Sequence, residues 1–118
     1  MEMPKPTDED KEFFRSLVPD DPTVEVKPMF GNLGAFVNGN MFMGLFGADV
    51  GLKLAEVDRE RLTTDHGGGP FGPEERPMNG WVTIPSAWRS TPAEADPWIA
   101  AALAYIRQLP PKAKKKRD

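Results

Sequence analysis

The chain has no cysteine and only one histidine, His66. The absence of cysteine excludes disulfides, thiolate chemistry and cysteine-based zinc sites, and it fits a reducing compartment. One imidazole leaves carboxylates as the remaining strong metal ligands. No apolar run approaches the roughly 20 residues that a membrane-spanning helix needs. The opening MEMPKPTDED is acidic and polar, the opposite of the basic start and apolar stretch of a secretory signal. These absences predict an unprocessed cytoplasmic protein with no membrane contact.

What is present fits one small domain. A chain of 118 residues buries roughly two-thirds of its unfolded surface, enough for one ordinary core. Charge is unevenly spread. Residues 1–107 carry 17 acids and 10 bases, a net −7, whereas residues 108–118 carry 5 bases and 1 acid, a net +4. An acidic body repels phosphate backbones, so any nucleic-acid contact is expected only through the tail.

Residues 1–6 hold two prolines and no periodic pattern, and read as a flexible arm. Thr7 can cap a helix whose first turn, Asp8-Glu9-Asp10, suits the positive end of the helix dipole. Phe13, Phe14, Leu17 and Val18 give that helix one apolar stripe before Pro19 stops it. Strand-like alternation begins at Val24. Met29-Phe30-Gly31-Asn32 reads as a turn, because Gly and Asn both tolerate positive φ. Leu33 to Val37 and Asn40 to Phe46 are strands joined by Asn38-Gly39, the strongest hairpin signal in the chain. Val50 to Leu54 continues the meander after Gly47-Ala48-Asp49.

Glu56 to Asp65 reads as a short polar helix anchored by Val57 and Leu62. His66 to Pro73, with three consecutive glycines, is expected to be irregular, and Arg76 to Pro85 to hold the last strand. Ser86 to Ala95 reads as an irregular connection. The closing helix is expected to start with Asp96 as cap and Pro97 in the first helical position. A competing start exists at Thr91, with Pro92 first and Glu94 completing a capping box. Trp98, Ile99, Ala102, Leu103 and Ile106 share one face of this helix, and Pro110-Pro111 ends it. The predicted fold is therefore α+β, a single-domain antiparallel β-meander packed by N-terminal and C-terminal helices over residues 7–109. Residues 110–118 read as a basic disordered tail.

The order of these features resembles the N-terminal domain of the TfoX competence-regulator family. The matching features are Met29-Phe30-Gly31, the Asn38-Gly39 turn followed by Met41-Phe42, Gly51-Leu52-Lys53-Leu54, Pro70-Phe71, and Trp81-Val82-Thr83-Ile84-Pro85. The resemblance covers roughly residues 11–107. Asn32 stands where the family pattern has a second glycine, Thr83 where it has an acidic residue, and the Leu52-Lys53-Leu54 lysine is shifted. Competence-regulating members carry a second, C-terminal TfoX domain, which this sequence lacks. The resemblance implies a regulatory or adaptor role exercised with a protein partner such as a transcription factor. It supplies no catalytic residues.

The residues themselves point the same way. His66-Gly67-Gly68-Gly69 is similar to the oxyanion-hole loop of lipases and esterases, but no Ser lies in a Gly-x-Ser-x-Gly elbow and the only His is in the loop itself, so a small hydrolase is the less favoured reading. The carboxylates of Asp8-Glu9-Asp10 and Asp20-Asp21 lack calcium-loop spacing, and Met29 to Gly34 lacks the spacing and lysine of a phosphate loop. No catalytic residue, cofactor or metal ligand is assigned. Two binding features stand out. Met29, Phe30, Met41, Met43 and Phe46 can form a partner or homodimer surface, with core packing favoured for an apolar run in a central strand. Lys112, Lys114, Lys115, Lys116 and Arg117 can contact nucleic acid, or serve only to keep the chain soluble.

Overall fold

Thr7 and Asp10 start the first helix, α1 (Asp8–Leu17), by satisfying each other's backbone. The Thr7 hydroxyl accepts from the Asp10 N–H at 3.0 Å, and the Asp10 carboxylate accepts from the Thr7 N–H at 2.8 Å. Two of the N–H groups that a helix start leaves unpaired are thereby satisfied. A computed structural model describes this and the rest of the fold for residues 5–29, 31–73, 75 and 77–109, with the backbone alone for Met29. The arm up to residue 4, the Met29 side chain, Phe30, and the tail from residue 110, with Lys112, Lys114, Lys115, Lys116 and Arg117, lie outside the described residues.

Five strands follow: β1 (Glu25–Met29), β2 (Asn32–Val37), β3 (Asn40–Phe46), β4 (Asp49–Lys53) and β5 (Trp81–Thr83). They form one antiparallel sheet in the order β1-β2-β3-β4-β5. Two further helices, α2 (Glu56–His66) and α3 (Asp96–Arg107), complete the α+β architecture expected from sequence. Asn38 and Gly39 have φ of 54° and 80°, the paired positive values that a type I′ hairpin requires. Asn32 departs from expectation. It is a β2 residue without a positive φ, whereas Gly31 takes one, at 82°.

One face of the sheet meets α1 and α3. Phe14, Leu17, Ile99, Ala102, Leu103 and Ile106 interlock there with Ala35, Val37, Met43, Leu45, Val50, Leu52 and Val82. The apolar run of β3 is explained by a bulge. Ala35 faces Met43 but Phe36 faces Met41, so Phe42 is an extra residue in the ladder. A bulge resets the in-and-out alternation, and Phe42, Met43 and Leu45 all reach the core while Met41 and Phe46 are only half-buried.

Three expectations are corrected. The last strand is shorter than Arg76 to Pro85: Gly80 has φ of 87°, and pairing with β4 begins at Trp81. Ser86 to Ala95 is two 3-10 turns, Ser86–Arg89 and Pro92–Ala95, and the second runs straight into α3. Ala95, not Asp96, is therefore the residue before α3, with no side-chain cap. A cap is not needed where a preceding turn already supplies the carbonyl ladder.

Two arginines tie distant segments together. Arg89 donates to Asp10 at 2.7 Å and lies over the Phe13 ring at 4.9 Å, joining the first 3-10 turn to α1. Arg107, in the last turn of α3, donates to Asp21 and to the Thr23 hydroxyl in the α1–β1 connection.

Candidate functional site

The second face of the sheet has its own small aromatic cluster. Gly44 of β3 and Gly51 of β4 sit directly opposite each other in the ladder. They leave a notch, and Phe71 fills it. A Cβ on Gly51 would stand 2.4 Å from the Phe71 ring, and one on Gly44 3.3 Å from it. Real Cβ atoms do not approach as closely as 2.4 Å, so Gly51 must be glycine for the ring to seat, whereas a Cβ on Gly44 would require the ring to give by a few tenths of an ångström. Trp81 stacks on Phe71 with centroids 5.5 Å apart, and Phe46 meets it edge-on at 6.2 Å. These are favoured aromatic geometries.

The chain reaches the notch through the glycine run. Gly67, with φ of 82°, stops α2: its N–H donates to Thr63 O at 3.2 Å, and the Gly68 N–H donates to Leu62 O at 3.0 Å. Gly69 and Thr83 then exchange two backbone hydrogen bonds, of 3.2 and 2.7 Å. The Thr83 hydroxyl donates to Pro70 O at 2.7 Å. Residues 69–71 thus run beside β5 as the stub of another strand. All three glycine N–H groups of the His66-Gly67-Gly68-Gly69 sequence are taken by backbone carbonyls, which leaves none for an oxyanion. The segment is a helix stop and a strand bridge, more ordered than the irregular loop expected from sequence.

His66 packs between Trp88 and Trp98, at centroid distances of 5.5 and 5.4 Å, and ties the end of α2 to the first 3-10 turn and α3. An open groove of about 420 Å³ lies between α2 and β5, lined by Arg59, Glu60, Thr63, Gly69 and Trp81 among others. Among the described residues no cluster of three or more His, Cys, Asp or Glu can hold a metal ion. No helix of the described residues is long and apolar enough to cross a membrane.

The predicted surface residues are split. Met43 is fully buried in the core and cannot present itself to a partner, because the bulge turns it inward. Met41 and Phe46 lie half-buried on the second face. Phe36 joins them: it sits opposite Met41 in the ladder, with the Lys27 ammonium 5.0 Å from its ring centroid. Sequence reasoning missed Phe36, although its alternation with the inward Ala35 and Val37 was the available signal. Asn32 was also missed as a structural residue. Its side chain is buried, and Oδ1 accepts from the Gly47 N–H at 2.9 Å, fixing the β3–β4 turn.

Two carboxylates are strongly placed by their surroundings. The Asp21 carboxyl is lowered to about 2 by the Thr23 hydroxyl, the Thr23 N–H and then Arg107. Asp10 is also lowered, first by the Thr7 backbone N–H and then by Arg89. Both carboxylates link distant segments, Asp10 through Arg89 and Asp21 through Arg107.

Helices packed on one face of an antiparallel meander, with aromatic side chains and paired glycines on the other, define an α+β scaffold. The chain belongs to the TfoX N-terminal domain family, whose model matches residues 13–106, from within α1 to the end of α3. No match is found among curated proteins.

Proposed function

We propose that this domain is a regulatory or adaptor module that works by binding another protein in the control of competence or transcription. The observation that carries the reading is the apolar strip Phe36, Met41 and Phe46 on the sheet face opposite α1 and α3, with Lys27 at its edge. Adaptable Met and Phe side chains beside a cation suit a protein contact. Family membership supplies the regulatory setting.

Affinity capture from native lysate, comparing the wild type with Met41→Asp, tests it. The reading expects a transcription-associated protein enriched by the wild type and lost with the variant, while circular dichroism shows both folded. A monodisperse monomer that enriches no such protein over the control contradicts it.

A second reading draws on charge alone: the net +4 of residues 108–118 suits a phosphate backbone.

A further inference from the structure

The Gly44–Gly51 notch has the anatomy of a peptide-recognition site, and the chain's own residues 69–71 occupy it. Three features of strand-addition recognition occur together. Backbone pairing is supplied by the two Gly69–Thr83 hydrogen bonds. A side-chain clamp is supplied by the Thr83 hydroxyl on Pro70 O. An anchor is supplied by Phe71, 3% exposed, whose ring fits a slot floored by two glycines and walled by Trp81 and Phe46. The groove between α2 and β5 runs along the same segment and is open to solvent.

We infer that Gly69-Pro70-Phe71 is an autoinhibitory contact: it holds, in cis, a slot that accepts an extended partner segment carrying a proline followed by an aromatic residue. The chemistry of the occupant is read from the segment already seated. The position opposite Thr83 sets no size limit, since a Cβ on Gly69 would meet nothing within 4 Å, and it contributes backbone pairing alone. Proline fits because only the carbonyl of that residue is used, as acceptor for the Thr83 hydroxyl, and no N–H donor is needed there. A planar ring is required by the glycine floor. Exchange of one such segment for another keeps every contact, so a partner competes with the closed state and does not have to build a new site. Apparent affinity is then reduced by the fraction of molecules whose slot is open. The inference adds a partner class to the protein-binding reading and rests on it only for the biological setting.

The test is a titration with the blocked peptide acetyl-Gly-Pro-Phe-Gly-amide, followed by amide shifts of Gly44 and Gly51 and the indole signal of Trp81. Phe71→Ala, shown folded by circular dichroism, is expected to bind saturably. Gly51→Ala in that background should weaken binding at least about tenfold, because its methyl takes the ring's place. Wild type should show the same shifts at an apparent affinity at least about tenfold lower, and a peptide with Ala for Phe should show none. A folded Phe71→Ala variant with no saturable shift overturns the inference, as does binding indifferent to Gly51→Ala. If Phe71→Ala does not fold, the wild-type titration decides, and no shift at Gly44, Gly51 or Trp81 up to millimolar peptide overturns it. Failure here leaves the Met41 experiment standing, and failure there leaves this one.

Discussion

Asn32 has a measurable structural job. Its amide oxygen satisfies the buried Gly47 N–H, and Asn32→Ala leaves that donor without its partner. The expected loss is about 1–3 kcal/mol of unfolding free energy, seen as a lower midpoint in urea with an unchanged slope. Asp21 makes stability depend on pH. Its folded value of about 2 lies below the ordinary 3.8, so its contribution is present above about pH 4 and is lost as pH falls towards 2. Asp21→Asn should remove that part of the acid sensitivity, checked by comparing urea midpoints of both proteins at about pH 6 and pH 2.5. Thr7 and Asn38-Gly39 were legible in sequence because each acts within a few residues of itself. Asn32 and Phe71 were not: Asn32 meets Gly47 15 positions away and the glycines that seat Phe71 lie 20 and 27 positions away, and no local pattern encodes such a meeting.

Among the elements, β3 and α2 carry the main lessons. The apolar run of β3 was legible as a strand, but its faces were not. A bulge leaves no mark in a hydrophobic pattern, and it decides that Met43 is core and Met41 is surface. The glycine run after α2 looked like loop because glycine is permissive. Here that permissiveness makes a helix stop and a close strand approach. Helix α2 buries only Leu62 and is otherwise held at its ends, by Arg59 on Leu54 O and by His66 between two tryptophans. A helix with so little buried apolar surface opens locally before the core does. Hydrogen exchange should therefore show α2 amides exchanging faster than those of α3, which buries Ile99, Ala102, Leu103 and Ile106. Equal protection in the two helices would mean that α2 opens only with the whole molecule.

For the molecule as a whole, the sequence carried the fold class and the family because the order of turns, strands and helices survives changes at single positions. It carried less of the candidate site, which depends on Phe36, Met41, Phe46 and Phe71 meeting on one sheet face. The charge division belongs to this scale too. If the tail's five cations contact phosphates, log affinity for duplex DNA falls against log salt with a slope of about −4.5. Removing residues 112–118 should then abolish binding, and binding that survives the deletion rules the tail out. The protein-binding face is tested most directly by the affinity of the captured regulatory partner for the wild type and for a folded Phe36→Ala/Met41→Ala double variant. Binding by the variant should be at least about tenfold weaker, the scale of a lost apolar anchor. Equal affinity would contradict a partner contact at that face.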